Sequence, residues 1–172
     1  AADVEGKDAC RKICILASLV YGRHVYPDEV HTEGITNITL NDVSAAVKAG
    51  YAIKLIGRVK TTEKGLVAMV SPALVSKASQ LGNVTDVFNA VLVRGSDIGD
   101  VLFYGRGAGK KPTAAAVISD IVDAARADGN IPMLGWEDAE HNTLIDYRSD
   151  VTPLMLRVAA KDEAAAAGLF GC

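Results

Sequence analysis

Tyr51-Ala52-Ile53-Lys54-Leu55-Ile56-Gly57-Arg58-Val59, followed by the turn Thr62-Glu63-Lys64-Gly65 and the apolar run Leu66 to Val70, decides the fold. After Tyr51 the side chains alternate, with Ile53, Leu55 and Val59 opposite Lys54 and Arg58, the period of a half-buried strand. The polar, glycine-containing turn returns the chain antiparallel, so a hairpin is expected. Ser71 to Val75 closes its second strand. Beyond a turn near Asn83, Asn89 to Arg94 and Asp100 to Tyr104 flank Gly95-Ser96-Asp97-Ile98-Gly99 and predict a second hairpin.

Two helices precede these strands. Ile13, Leu16, Ala17 and Val20 recur at helical spacing, which predicts a helix from about Asp8 to Tyr21. Thr39 or Asn41 can cap a second helix that runs to about Ala49, with Val43, Ala46 and Val47 on one side and Gly50 as its stop. The stretch from Arg23 to Gly34, with Pro27, several acids, His24 and His31, reads as a loop. The expected class is α+β, a mostly antiparallel or mixed sheet with helices packed on one face, which is not a complete nucleotide-binding sheet.

The chain has 172 residues, 49% of them apolar, and a formal net charge of −3. That length suits one ordinary domain and is short for two. Both signs of charge are dispersed without a basic stripe, which argues against nucleic-acid binding. No apolar run approaches the roughly 20 residues of a membrane span, and a cytoplasmic protein is expected. Cys10, Cys14 and Cys172 form no CxxC pair and fit a reducing compartment, with buried small hydrophobes as their expected role. No metal site is assigned.

Asp3-Val4-Glu5-Gly6-Lys7-Asp8-Ala9-Cys10-Arg11-Lys12 concentrates polar groups where the first helix begins. Asp8 sits where a carboxylate meets free backbone N–H groups and the positive end of the dipole. Lys12, four residues on, shares its face; spacing alone describes an exposed ion pair worth roughly 0.3–0.5 kcal/mol. Further along, Gly105-Arg106-Gly107-Ala108-Gly109-Lys110-Lys111-Pro112-Thr113 lies between a predicted strand and a predicted helix whose apolar stripe runs from Ala116 to Ala125. Glycines there allow a ligand to approach backbone N–H groups. A P-loop would need glycine at 104 and Ser or Thr at 111, where Tyr104 and Lys111 stand, and the third glycine of a Rossmann fingerprint is missing. A plain strand-to-helix turn and a phosphate-binding turn both remain open.

Written as Asp-aliphatic-x-Gly-x-Asp-x-x-x-Lys, the first motif resembles the signature of homoserine dehydrogenase, which reduces aspartate semialdehyde to homoserine with NAD(P)H. His31-Thr32-Glu33-Gly34-Ile35, the stretch from Asn83 to Ala90 and Val101 to Tyr104 also resemble its substrate domain. The resemblance implies that Lys12 delivers a proton to the reacting carbonyl and that Asp8, with Asp3, binds the substrate's ammonium group. It implies as well that Gly109, with Gly107, lies against the nicotinamide cofactor, which an amino-terminal dinucleotide-binding domain would mostly hold. Residues 1–126 would then form the substrate-binding and catalytic domain and 127–150 a linker. Pro153 to Val158 would be a short strand opening a truncated ACT-like segment over 151–172. The motif begins almost at Ala1, so a fragment of a longer enzyme, inactive alone and homodimeric through its sheet, is expected. The rival is a non-catalytic dimerisation domain.

Overall fold

The computed structural model describes residues 2–130, 135–141 and 143–158. Helix α1 (Lys7–Tyr21) is followed by the two-residue strand β1 (His31–Thr32), helix α2 (Leu40–Lys48) and the long hairpin β2 (Tyr51–Thr62) and β3 (Gly65–Ser76). A second hairpin, β4 (Phe88–Gly95) and β5 (Gly99–Arg106), leads into helix α3 (Lys110–Arg126). The fold is α+β.

Both hairpins form where the alternation places them. β2 and β3 pair antiparallel from Tyr51 opposite Ser76 to Thr62 opposite Gly65, and β4 and β5 from Phe88 opposite Arg106 to Gly95 opposite Gly99. Each strand of the first hairpin runs beyond the limits expected of it. Pro72 is admitted because β1 pairs with β3 only at Met69 and Val70, which leaves the Pro72 end of β3 open on that side. β1 runs parallel to β3, making a mixed sheet in the order β1-β3-β2. No periodicity in two residues announces such a strand, and the segment reads as loop until its partner is in place.

The core lies between α1 and the sheet. Cys10, Ile13, Cys14 and Ala17 pack with Val25, Val30, Leu66, Ala68 and Val70. The helix seats closely on β2 at Gly57, where a Cβ would stand 3.4 Å from that of Ile13. Cys10 and Cys14 take the buried positions expected of them, while Val20 departs from the expected stripe and is 68% exposed. Ser18, also buried, donates to Cys14 O at 2.8 Å and accepts the Val25 N–H at 3.0 Å, fixing the chain as it leaves the helix.

α2 begins in a capping box. Thr39 Oγ1 accepts the Asp42 N–H at 3.3 Å, and Asp42 Oδ2 accepts the Thr39 N–H at 2.8 Å. Of its expected apolar side, Ala46 is buried while Val43 and Val47 remain exposed. The strand expected over Pro153 to Val158 is not formed: 151–158 joins no ladder among the described residues, and Arg157 instead reaches Asn37 O and the Asp42 carboxylate. A strand needs a neighbour to satisfy its backbone, and none is offered there among the described residues.

Candidate functional site

The turn before α1 is held from outside the helix. Gly6 N–H donates to Asp3 O at 3.2 Å, and Gly6 adopts the left-handed conformation at φ +79°. Ile35 N–H donates to Val4 O at 2.8 Å, and Glu33 N–H donates to Val70 O at 2.8 Å, so the turn is tied through residues 33–35 to the sheet. Gly34 makes this approach possible, since a Cβ on it would lie 2.2 Å from Val4 O and 2.7 Å from Glu5 Cα. Neither Gly34 nor Ile35 is marked by the motif at the start of the chain. Both lie instead in His31-Thr32-Glu33-Gly34-Ile35, the stretch that resembles the family's substrate domain.

On this seat Asp8 and Lys12 face one another across one helical turn. Lys12 Nζ lies 2.7 Å from Asp8 Oδ2, with side chains 71% and 45% exposed. Asp3 is exposed at the turn, and Glu5 pairs with Lys7 at 2.7 Å, which holds the Glu5 carboxyl below its ordinary range. The arrangement offers an ammonium donor and a carboxylate acceptor side by side on a tethered scaffold. An entering molecule with a carbonyl oxygen and an ammonium group could take one each, since an exposed pair is cheap to part.

Gly107 and Gly109 belong to another part of the chain. Gly107 N–H donates to Val87 O at 3.4 Å, and a Cβ there would collide with the Asn89 amide. Gly109, at φ +120°, precedes α3 and accepts the Thr113 N–H at 3.1 Å. Arg106, Lys110 and Lys111 line an open depression with it. Among the described residues no hydrogen bond or ion pair joins this turn to Asp3, Asp8 or Lys12. The structure therefore brings Asp8 to Lys12, places Asp3 at the preceding turn, and leaves the two glycines in a separate hairpin-to-helix unit.

The cysteines sit behind the motif. Cys10 and Cys14 are free and buried; burial, then the neighbouring Cys10, pushes the Cys14 thiol up to about 12. Among the described residues no group of three or more His, Cys, Asp or Glu is arranged to hold a metal ion.

Residues 1–122 match the family model for homoserine dehydrogenase. The chain belongs to that family. The homoserine dehydrogenase of Pseudomonas aeruginosa is 39% identical over 167 residues, covering 93% of this chain and 38% of that protein. That of Neisseria gonorrhoeae is 39% identical over 168 residues, covering 94% and 39%. Among solved structures, the homoserine dehydrogenase of Thiobacillus denitrificans superposes with a TM-score of 0.72 at 39% identity, over 76% of this chain and 32% of that one. The Staphylococcus aureus enzyme at pH 6.5 gives 0.67 at 39% identity, over 77% and 33%. The chain thus spans 38–39% of the length of these two curated homoserine dehydrogenases. No helix among the described residues is long and apolar enough to cross a membrane.

Proposed function

We propose that these residues are the substrate-binding and catalytic portion of a cytoplasmic homoserine dehydrogenase, which interconverts L-aspartate 4-semialdehyde and L-homoserine in threonine, methionine and isoleucine biosynthesis. The observation that carries this reading is the Asp8–Lys12 pair, 2.7 Å apart at the start of α1, within the residues that match the family. Asp8, with Asp3, takes the substrate's ammonium group through charge-assisted hydrogen bonds. Lys12, released from Asp8, points its ammonium at the carbonyl oxygen, stabilises the negative charge that develops there and gives it a proton. NAD(P)H, when bound, supplies the hydride for the aldehyde carbon.

Gly109 and Gly107 suit one edge of the dinucleotide. Gly109 leaves the backbone open where a cofactor could approach, and the cations Arg106, Lys110 and Lys111 stand beside it. Most of the cofactor is held by a domain outside these 172 residues, so the chain alone is expected to be inactive. A homodimer through the sheet is part of the proposal, supported by Phe103 and Tyr104 exposed on β5 and Val91 and Val93 on β4.

The test is a chimera in which this chain replaces the segment that it matches in the Pseudomonas aeruginosa enzyme. It is expected to oxidise homoserine with NAD(P)+, and Lys12→Ala is expected to lower kcat by about 10²–10⁴-fold with little change in cofactor KM. Near-normal turnover in that variant would sink the role given to Lys12. A folded but inactive chimera would favour the second reading, a non-catalytic interaction domain, for which the uncovered apolar face of α3 speaks.

A further inference from the structure

Residues 135–141 and 143–150, after α3, are fastened to the body at successive points. His24 N–H donates to Glu137 O and Glu137 N–H to Gly22 O, both at 3.0 Å, and Thr143 N–H donates to Glu29 Oε1 at 3.2 Å. Ile145 N–H donates to Leu66 O at 2.9 Å. The Tyr147 ring then stacks on His31, with centroids 3.9 Å apart and planes 14° from parallel. Asp150, its side chain 6% exposed, pairs with Arg58 at 2.8 Å and Lys60 at 2.6 Å.

One of this strap's fastenings, Tyr147 on His31, falls on β1. A strand paired through only two residues, His31 with Met69 and Thr32 with Val70, has little ladder of its own to hold it. Yet its own Thr32 and the residues directly after it seat the start of α1. Thr32 Cγ2 would lie 3.1 Å from a Cβ on Gly6, and Ile35 N–H holds Val4 O. A side chain that steadies His31 therefore steadies the turn from which Asp8 and Lys12 project.

We infer that Tyr147 is a positioning residue: by stacking on His31 it clamps β1, and β1 seats the Asp3–Gly6 turn that aims Lys12. Asp150 is the second fastening of the same clamp. The link to Lys12 chemistry rests on the function proposed above; the clamp itself does not.

Amide hydrogen exchange on the full 172-residue chain tests the clamp. In Tyr147→Ala the amides of Gly6 and Ile35 are expected to exchange at least about tenfold faster, while β2 and β3 near Tyr51 and Ser76, far from the strap, keep their rates. Tyr147→Phe, which retains the stacked ring, should restore the original rates. If the alanine variant fails to fold, Asp150→Asn, which keeps the side-chain volume, is expected to give the same local pattern. Unchanged exchange at Gly6 and Ile35, uniform acceleration across the sheet in a folded variant, or failure of phenylalanine to restore the rates would overturn the inference.

In the chimera, Tyr147→Ala should lower kcat several-fold and Tyr147→Phe should not; equal kcat in both would break the link to Lys12. An inactive parent chimera would count against the proposed function, and exchange alone would then decide the clamp.

Discussion

Lys12 and Gly34 divide chemistry from architecture. The Lys12–Asp8 pair is exposed to solvent, where an i,i+4 ion pair adds little to stability. Lys12→Ala is therefore expected to change the unfolding free energy by no more than about 0.5 kcal/mol, measured by urea denaturation. A much larger loss would make the pair structural. Gly34 is the converse. The atoms that a Cβ would meet there, Val4 O and Glu5 Cα, are backbone and cannot swing aside. Gly34→Ala is expected to cost about 1–3 kcal/mol in the same melt, the usual range for overpacking. Cys14 offers a chemical check on the core between them. With its thiol pushed up to about 12 by burial and by Cys10, almost no thiolate exists at neutral pH, so alkylation of the folded chain should leave it unmodified. Rapid labelling of Cys14 before unfolding would contradict the packing of α1.

Two carboxylates fasten the carboxy-terminal segment to the elements beneath it, and their titration gives that attachment a pH dependence. The Thr39 backbone N–H, then the Thr39 hydroxyl and Arg157, hold the Asp42 carboxyl below its ordinary range; Lys60, then Arg58, do the same for Asp150. A lowered folded-state value means that these groups stabilise the folded chain above about pH 4, the unfolded value, and that this stabilisation is lost as pH falls through the lower folded value. The strap is expected to release first on acidification, seen as cleavage by pepsin near residues 145–152 before α1 is cut. Asp150→Asn should weaken the pH dependence of that cleavage, the Asp42–Arg157 contact alone remaining to titrate. Simultaneous loss of α1 and the strap would refute the order. These attachments also mark where sequence reasoning stops. Alternation in Tyr51 to Val59 and a helical period after Asp8 are local signals, and both elements stand where they predict. The phase of α1 was less legible, because Cys10 and Cys14 compete with Val20 for the inward face and only contact with Val25, Val30 and β3 decides between them. β1, the seat at Gly34 and the clasp at Asp150 are pairings between residues 29 to 92 positions apart, and no local pattern carries them.

At the scale of the whole molecule, α3 is an amphipathic helix without its other half. Val117, Ile118, Ile121 and Val122 are 53%, 60%, 62% and 38% exposed, and no described residue of the helix is buried. The β4–β5 hairpin adds Phe103 and Tyr104 at 63% and 53%. Exposed apolar side chains along one helix mark a place where another surface belongs, and the sequence pattern from Ala116 to Ala125 already carries it. The chain by itself is therefore expected to cover the helix by self-contact. Its sedimentation equilibrium should show association that strengthens with concentration, and an apolar dye should bind whatever helix face stays open. Replacing Ile118 and Ile121 together by Glu should weaken the association and reduce dye binding, with little change in the melt of the α1–sheet core, because α3 contributes nothing buried to it. If the unaltered chain sediments as a monomer and binds no dye, the apolar face of α3 is already satisfied within one copy, and the need for a second surface on it falls away.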